Sequence, residues 1–485
     1  MNRSKGQPSH RAITGSDFLQ LDVREAPAGG RSAWLAERLR GAIADGRLAV
    51  GSRLPATRTL AAELGVSRGV VTEAYQRLVE DGHVAGRGRG GTVVVAVPVT
   101  PSPALVPTPA DVVFEPRPDV FDRLRAAPAR IDLTPGVPDL AAFPRGAWLR
   151  AERAVLGGLS APDFGYGDPR GAPPFRLAVA NWLARNRGIR VDADDVVVVS
   201  GVAQALGLLA TVFRAHGVGE VAVEDPGSLG ARQHLQHSGL TTPPVPVDEN
   251  GVRVDALASP AVLLTPAHQF PTGVVLGGER RRELMRWAGE GGLIVEDDYD
   301  AEHRYDRPPV PALRSMLPER TCYAGSISKL LAPALRIGWL LVPGRYRRDL
   351  VDAKRYADLG NAVLPQLVLG HLMGSGELER HLRLLRRRHR TRRDAMIGAV
   401  NRHLPSARVH GAAAGLHLMV TFDSPVSDVD LAAEALARGV KVQPLSWHRQ
   451  RPGPPGLVLG YGARSAGEIE DGIAVIGELV RGTRT

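Results

Sequence analysis

The sequence contains very little cysteine and no long apolar run. Its single cysteine, Cys322, excludes a disulfide framework and a cysteine-based metal cluster within one chain, and no other metal-ligand pattern stands out. No segment approaches the ~18 apolar residues of a membrane span, and the N-terminal residues lack the apolar core of a signal peptide. We therefore expect a cytoplasmic protein with no membrane partner and no metal site.

Length and charge indicate more than one domain. A chain of 485 residues is too long for one ordinary core. The formal charge is +10, and residues 1–95 hold 14 Lys and Arg against 9 Asp and Glu, which is half of the excess in about a fifth of the chain. A local basic excess is expected of a DNA-binding module. A solvated basic surface without a partner is the alternative interpretation.

Composition divides the chain into four regions. Residues 1–30 form a tail, residues 31–95 a mostly helical module, residues 96–130 a proline-rich extended linker, and residues 131–485 one long α/β domain. In the last region, short apolar runs without polar alternation predict the strands of a mostly parallel sheet covered by helices. These runs are residues 196–200, 221–224, 261–265, 293–296 and 337–342. From about residue 395 we expect a smaller α+β subdomain.

The N-terminal module has the pattern of two helices joined by a tight turn at Gly65. Ser67 is placed to cap the second helix, and Arg68 and Thr72 lie one turn apart on its outer face. The following run GHVAGRGRGGTVVV predicts two short strands with a Gly/Arg tip, which is the pattern of a wing. A helical hairpin that makes only protein contacts is the alternative.

This module resembles a GntR-type winged helix-turn-helix over about residues 31–95. The matching segments are LPATR, LAAELGVSRGVVTEAY, LVEDG and the tip RGRGGT. The resemblance implies DNA contacts by Arg58, Ser67, Arg68 and Thr72, with Arg87 and Arg89 at the tip reaching phosphates or the minor groove. Gly69 stands where the family often has Asn, so the side-chain contact of that Asn is missing here.

One lysine lies in a setting suited to imine chemistry. The chain has only four lysines: Lys5, Lys329, Lys354 and Lys441. Lys329 follows a strand-like run in TCYAGSISKLLAPALRIGW, with Ser326 before it and Arg336 after it. Lysine can react with an aldehyde, while serine and arginine can hold a phosphate. The set therefore suggests pyridoxal phosphate (PLP), and a surface lysine beside an unrelated arginine is the alternative.

Two further segments favour a PLP site. The run SGVAQ at residues 200–204 presents backbone N–H groups at a helix start, where phosphate binds. In LIVEDDYD at residues 293–300, a carboxylate at a strand end can keep a pyridinium nitrogen protonated. Ordinary helix starts and strand-end caps remain the alternatives, and no His/Cys pattern supports a metal there.

Residues 131 onward resemble fold-type I aminotransferases. Segments such as TPAHQFPTG, EDDYDAEHRY and SISKLLAPALRIGW, together with the N-terminal module, resemble the MocR/GabR group of regulators. The resemblance implies a seven-stranded large domain, a small C-terminal domain and a homodimer. Lys329 would form the Schiff base to PLP, Asp297 would pair with the pyridine nitrogen, and Tyr299 would lie near the phenolic oxygen. The phosphate would be held by Ser326, Arg336, the backbone of Val202 and Ala203, and Tyr166 of the other subunit; His268 would lie near the ring.

Two positions depart from the family pattern. Ser228 follows EDPG, where the group usually has an aromatic residue beside the cofactor. Val458, in LVLGYG, stands where the family has an arginine that binds the substrate carboxylate. A valine cannot form that charged contact, so amino-acid substrates should bind more weakly. Arg464 or another arginine is a candidate replacement.

These observations predict a PLP-dependent DNA-binding transcription regulator that senses PLP or a small amine or amino compound. Its predicted partners are double-stranded operator DNA, a small-molecule effector and a second copy of the chain, and PLP synthesis genes are the expected targets. The alternative is an active class I/II aminotransferase with an accessory DNA-binding arm, which Val458 disfavours. A third interpretation is a C-terminal domain that has lost the cofactor and is only structural.

Overall fold

The protein divides into two compact units, Met1–Leu105 and Val106–Thr485. The structure is a computed structural model, and it describes residues 18–27, 30–86, 91–95, 114, 116–300, 302–305, 310–423 and 426–482. Arg87 and Arg89, which we expect at the tip of the wing, lie outside the described residues. No helix in the described ranges is long and apolar enough to cross a membrane.

The N-terminal unit is a three-helix module followed by a hairpin. Its elements are α1 (Arg31–Ala44), α2 (Thr57–Glu63), α3 (Arg68–Glu80), β1 (Val84–Gly86) and β2 (Thr92–Val94). The two strands pair antiparallel, and Leu39, Leu60 and Val71 meet in a core that the hairpin covers. Gly65 follows α2 with φ +62°, a conformation that glycine adopts without strain, so the chain turns directly into α3. The predicted winged helix-turn-helix is confirmed.

The C-terminal unit contains the remaining twelve α-helices and fourteen strands that the structure describes. In chain order its first elements are α4 (Val120–Ala126), β3 (Ile131–Asp132), α5 (Arg145–Gly158), α6 (Pro173–Arg187), β4 (Val197–Val199), α7 (Val202–Ala215), β5 (Ala222–Asp225), α8 (Leu229–His237), β6 (Pro244–Asp248), β7 (Gly251–Val252), β8 (Ala261–Leu264), α9 (Gly278–Gly289) and β9 (Leu293–Asp298). They continue with α10 (Leu313–Met316), β10 (Thr321–Ser326), β11 (Gly338–Leu341), α11 (Arg347–Asp358), α12 (Val363–Gly374), α13 (Glu377–His403), β12 (Ala407–His410), β13 (His417–Phe422), α14 (Asp428–Ala437), β14 (Val440–Lys441), β15 (Gln443–Pro444), β16 (Gly456–Gly460) and α15 (Ala466–Gly482).

The large sheet has the strand order β4-β11-β10-β9-β8-β5-β6-β7. Strands β10, β9, β8, β5 and β6 run parallel, whereas β11 is antiparallel to both β10 and β4. The five apolar runs predicted as strands all lie in this sheet. Their sequences are continuously apolar because helices bury both faces of the sheet. The expectation of seven strands is one short, since the two-residue β7 forms a hairpin with β6.

A second, four-stranded sheet, β12-β13-β16-β15, forms the small subdomain with α14, α15 and the C-terminal part of α13. The predicted boundary near residue 395 falls inside the 27-residue α13. The subdomain also takes residues from the other end of the unit, because β3 pairs with β14 and Phe114, Val120 and Leu124 are buried in the same core. Part of the predicted extended linker is therefore folded: Phe114, Val120 and Leu124 are buried, and residues 120–126 are helical.

Candidate cofactor site and candidate DNA-binding helix

Helix α3 presents its N-terminal end to solvent. Ser67 precedes the helix in an extended conformation, and Ser67, Arg68 and Thr72 are all exposed. The Thr72 hydroxyl donates to the carbonyl of Arg68 at 2.9 Å, and Arg68 Nε donates to Thr57 Oγ1 at 3.4 Å. Arg58 is exposed on α2. The four predicted DNA contacts thus lie at the helix-turn-helix, with their polar ends accessible.

A further arginine of the N-terminal unit, Arg53, lies beside the hairpin. Arg53 forms an isolated bridge with Val93, and its side chain lies against Gly91, where an added Cβ would be 3.6 Å from Arg53 Cδ. Arg53 is exposed. The sequence did not single out this residue, because its position beside β2 depends on pairing between segments about 40 residues apart.

In the C-terminal unit, a cavity of about 380 Å³ opens where the parallel strands end. This is the edge at which open α/β sheets bind ligands. The predicted residues that line it are Lys329, Asp297, Tyr299, Ser326, Arg336, Val202 and Ala203. The structure therefore brings together, in one cavity, residues from three separate segments of the sequence.

One end of the cavity is suited to a phosphate. Helix α7 begins here at Val202, and Gly201 before it provides no side-chain cap, so first-turn N–H groups face the cavity. A Cβ on Gly201 would lie 3.5 Å from Arg336 Nη1 and 3.9 Å from Ser326 Oγ. Arg336 has φ +52°, a left-handed conformation that costs an L-residue about 1–2 kcal/mol. The backbone of Arg336 is thus strained at the position from which its guanidinium reaches the start of α7.

Lys329 is held by backbone contacts on two sides. Its Nζ donates to the carbonyl of Gly136 at 2.5 Å, and a Cβ on Gly136 would lie only 2.9 Å from that nitrogen. Only glycine leaves this space, and Gly136 has φ +84°. Nε2 of His303 donates to the Lys329 carbonyl at 3.1 Å. Burial lowers the pKa of Lys329, although Asp300 and Asp297 act in the opposite direction. The amine is therefore more easily deprotonated than an exposed lysine.

Asp297, near the end of β9, is a buried carboxyl with one unsatisfied oxygen. Its Oδ1 has no hydrogen-bond partner among the described residues. Burial, with the neighbouring charges of Asp298 and Asp300, raises the pKa of Asp297 to about 7, and Lys329 opposes this rise. A buried unpaired acceptor of this kind is costly unless a donor meets it. The position is suited to a protonated ring nitrogen.

His268 contacts Tyr299 and does not line the cavity. Its Nδ1 is 3.0 Å from Tyr299 Oη and 2.9 Å from Asp300 Oδ2, and the Tyr299 hydroxyl donates to the His268 carbonyl at 3.0 Å. His268 thus helps to hold Tyr299 in place, and its position near the cofactor ring stays a prediction. The ligand atoms of His268, Asp300 and His417 also lie within 4.8 Å of one another. That spacing is compatible with a metal ion, which the sequence did not predict.

Tyr166, like His268, is a predicted cofactor residue that does not line this cavity. Its side chain is 95% exposed and does not line the cavity of its own chain. The cavity also has lining residues that sequence reasoning missed: Phe121, Arg125, Ser328, His417, Gln443 and His448. Apart from Ser328, beside Lys329, these residues come from α4 and the small subdomain, so local motifs gave no signal for them.

The two departures from the family pattern have structural consequences. Ser228 caps α8, its Oγ accepting from the Ala231 N–H at 3.2 Å, and it lines the cavity without an aromatic ring. Val458 in β16 is fully buried with Met419 and Leu445 in a small apolar cluster behind Phe270. Arg464 does not line the cavity; it pairs with Glu468 at 3.2 Å. The site of Val458 is therefore closed and apolar.

The residues present fit PLP on structural grounds. The unsatisfied Asp297 oxygen, the buried Lys329 amine and the uncapped start of α7 beside Arg336 line one cavity. These are an acceptor for a ring nitrogen, an amine for an aldehyde and donors for a phosphate.

Comparison with known proteins agrees with both units. Residues 32–94 match the model of bacterial regulatory proteins of the gntR family, and residues 131–452 match aminotransferase class I and II. The chain is 32% identical to the HTH-type pyridoxine biosynthesis transcriptional regulator PdxR of Corynebacterium glutamicum, over 92% of this chain and 95% of that protein. It is also 32% identical to the probable rhizopine catabolism regulatory protein MocR of Rhizobium meliloti, over 90% and 91%.

Among solved structures, a kynurenine aminotransferase from Pyrococcus horikoshii matches with a TM-score of 0.70 and 26% identity, covering 76% of this chain and 94% of that one. The two units thus define a gntR-type DNA-binding domain joined to an aminotransferase-fold domain, a fold that implies PLP binding. The chain belongs to the MocR group of HTH-type transcriptional regulators.

Proposed function

We propose that this regulator binds PLP in the cavity around Lys329 and contacts operator DNA through α3, as a cytoplasmic homodimer. The observation that carries the cofactor proposal is the unsatisfied Asp297 oxygen in the same cavity as the Lys329 amine and Arg336. When bound, PLP supplies an aldehyde that reacts with amines and a ring that accepts electrons.

Different residues of the cavity would bind different parts of PLP. Arg336, Ser326 and the first N–H groups of α7 offer donors to the phosphate. Asp297 accepts a hydrogen bond from the ring nitrogen, which removes the cost of its buried unpaired oxygen. Burial lowers the pKa of Lys329, so its amine loses a proton more easily than that of an exposed lysine and can then act as a nucleophile.

Replacing Lys329 tests the cofactor proposal. Wild-type protein mixed with PLP should gain a visible absorbance band, and Lys329→Ala should remove it because no lysine amine then lines the cavity. Lys329→Arg should also lack the band while retaining the positive charge, and Lys5→Ala should retain the band as the matched lysine control. A colourless wild type after incubation with PLP would overturn the proposal.

We further propose that PLP or a small amino compound is the effector, and that the regulated genes include those of PLP synthesis. Support comes from the relative whose name assigns it to pyridoxine biosynthesis, and from Val458, which removes the usual contact for an α-carboxylate. A ligand can change DNA binding only if it binds one arrangement of the protein more tightly than another.

Footprinting the region upstream of the chain's own gene, with and without PLP, tests this regulation. PLP should change the footprint and the transcription of neighbouring PLP synthesis genes in wild type, and neither should respond in Lys329→Ala. If PLP leaves both unchanged while an amino acid alters them, the effector is the amino acid and the PLP-sensing proposal fails.

The competing function is an active aminotransferase, which the intact Lys329 and Asp297 favour. The buried Val458 opposes it, because an α-amino acid then lacks a charged partner at the family's usual place. PLP-loaded protein mixed with a panel of amino acids should keep its visible band in the regulator. Rapid loss of the band followed by multiple turnovers would identify an enzyme instead.

A further inference from the structure

Helix α4, which follows the residues joining the two units in sequence, forms part of the cavity wall. Phe121 and Arg125 lie one turn apart on it, and both line the cavity. A neighbouring face of α4 is fixed in the small subdomain by Val120 and Leu124, which are 1% and 2% exposed. The helix is therefore anchored on one face and turned toward the ligand site on the other.

Contacts on both sides hold α4 at this position. The Phe121 ring packs edge-on against Trp447 of the small subdomain, with centroids 5.9 Å apart. On the other side, a Cβ added to Gly230 of α8 would lie 3.6 Å from the Phe121 ring. Lys441 Nζ donates to the carbonyl of Arg125 at 3.3 Å. Arg125 thus projects from a backbone that the subdomain core and a buried lysine fix in place.

The charges around the cavity single out Arg125. Of the described lining residues, Arg336 and Arg125 are the two arginines, and Arg336 belongs to the phosphate end. Three histidines, His234, His417 and His448, also line the cavity, and burial lowers the pKa of His234 below its ordinary value and that of His448 to about 3. A second anionic group on a ligand therefore finds one permanent positive charge beyond the phosphate end, the guanidinium of Arg125.

The Arg125 side chain is free to change partners at low cost. It is 74% exposed and forms an ion pair with Asp122, itself 73% exposed, on the same helix. Exposed ion pairs of this kind contribute little to stability, so a ligand carboxylate can replace or join Asp122.

We infer that Arg125 is the specificity-determining residue for a carboxylate or similar anionic group on the effector, in place of the arginine that Val458 replaces. This inference rests on the proposed PLP site, since the ligand is held at its other end by the PLP phosphate contacts. It assigns the effector to amino compounds with an anionic group that reaches the mouth of the cavity. It also gives α4, next in sequence to the joining residues, a direct contact with the effector.

Stable phosphopyridoxyl compounds test the inference without turnover. The probes are the reduced adducts of PLP with glycine, β-alanine and 4-aminobutyrate, compared with the propylamine adduct, which lacks a carboxylate. Dissociation constants are measured by calorimetry on cofactor-free full-length protein. At least one carboxylate adduct should bind wild type about five- to tenfold more tightly than the propylamine adduct, as expected for one charged hydrogen bond near the surface.

Variants on the same helix make the test specific. Arg125→Gln should remove the preference for the carboxylate while leaving the affinity for the propylamine adduct unchanged. Arg123→Gln is the matched control, because Arg123 pairs with Asp119 and does not line the cavity; it should keep the preference. Asp122→Asn should keep or increase it.

Three results would overturn the inference. A wild type without a preference, or a preference that survives in Arg125→Gln, would contradict the role of Arg125 and leave the PLP site standing. Failure of every adduct to bind would overturn the proposed PLP site and this inference together.

Discussion

Asp297 links the charge state of the cofactor site to the stability of the fold. Its pKa is raised from 3.8 to about 7, mainly by burial. Between those values the folded protein holds a proton that the unfolded chain has released. The free energy of unfolding therefore falls as pH rises through this window and levels off above it.

Asp297→Asn should remove this pH dependence. In cofactor-free protein, the variant should gain stability relative to wild type as pH rises from 4 to 7, by about 1.4 kcal/mol for each unit of pKa shift. Urea unfolding at pH 5 and pH 8 measures the difference. The same substitution should weaken PLP binding, and an unchanged stability difference at the two pH values would contradict a raised pKa in the folded state.

The individual site residues that could be predicted from the sequence are those that share a short segment with a second residue of the site. Ser326, Lys329 and Arg336 lie within eleven residues, so their spacing alone suggested a phosphate and an aldehyde. Phe121 and Arg125 come from about 200 residues earlier in the chain and reach the cavity only through the folding of the small subdomain. No local pattern contains that information.

Among the elements, α3 is the one that the exposed polar residues assign to DNA. Arg68→Ala should weaken binding to the specific operator by about 1–3 kcal/mol if the side chain contacts a base edge. Arg77→Ala, in the last turn of the same helix and paired with Glu73, is the matched control. Electrophoretic mobility shifts at fixed salt compare the two, and equal losses in both variants would count against base recognition by Arg68.

Strands and helices were predictable where one physical signal dominated. Continuous apolar runs marked β4, β5, β8, β9 and β11, because each is buried on both faces. Strand β6 was missed, since its Pro244 and Pro246 lie in a sequence that otherwise reads as a loop. Helix α4 was missed for a related reason, because the prolines around it favour an extended linker. The helix is stabilised by packing against a core whose other residues come mostly from much later in the sequence.

For the whole molecule, the exposed Tyr166 leads to a prediction about subunit sharing. If Tyr166 reaches the phosphate of a partner's site, Tyr166→Ala should weaken PLP binding although the residue lies outside its own cavity. Mixed dimers of Tyr166→Ala and Lys329→Ala subunits should contain one site with both native residues. Refolding the two variants together should therefore restore part of the visible band, and no recovery in a confirmed mixed dimer would exclude sharing.

The C-terminal unit has only three lysines, so it offers few amines to a chemical reagent. Lys354 and Lys441 are 0% and 5% exposed and are engaged with Asp358 and with the Arg125 carbonyl. Lys329 is thus the one lysine of this unit whose amine lines a cavity accessible to a reagent. An amine-reactive probe should modify the unit at a single position, and a ligand in the cavity should block it. Acylation followed by peptide mass mapping therefore becomes a readout of site occupancy that needs neither DNA nor colour.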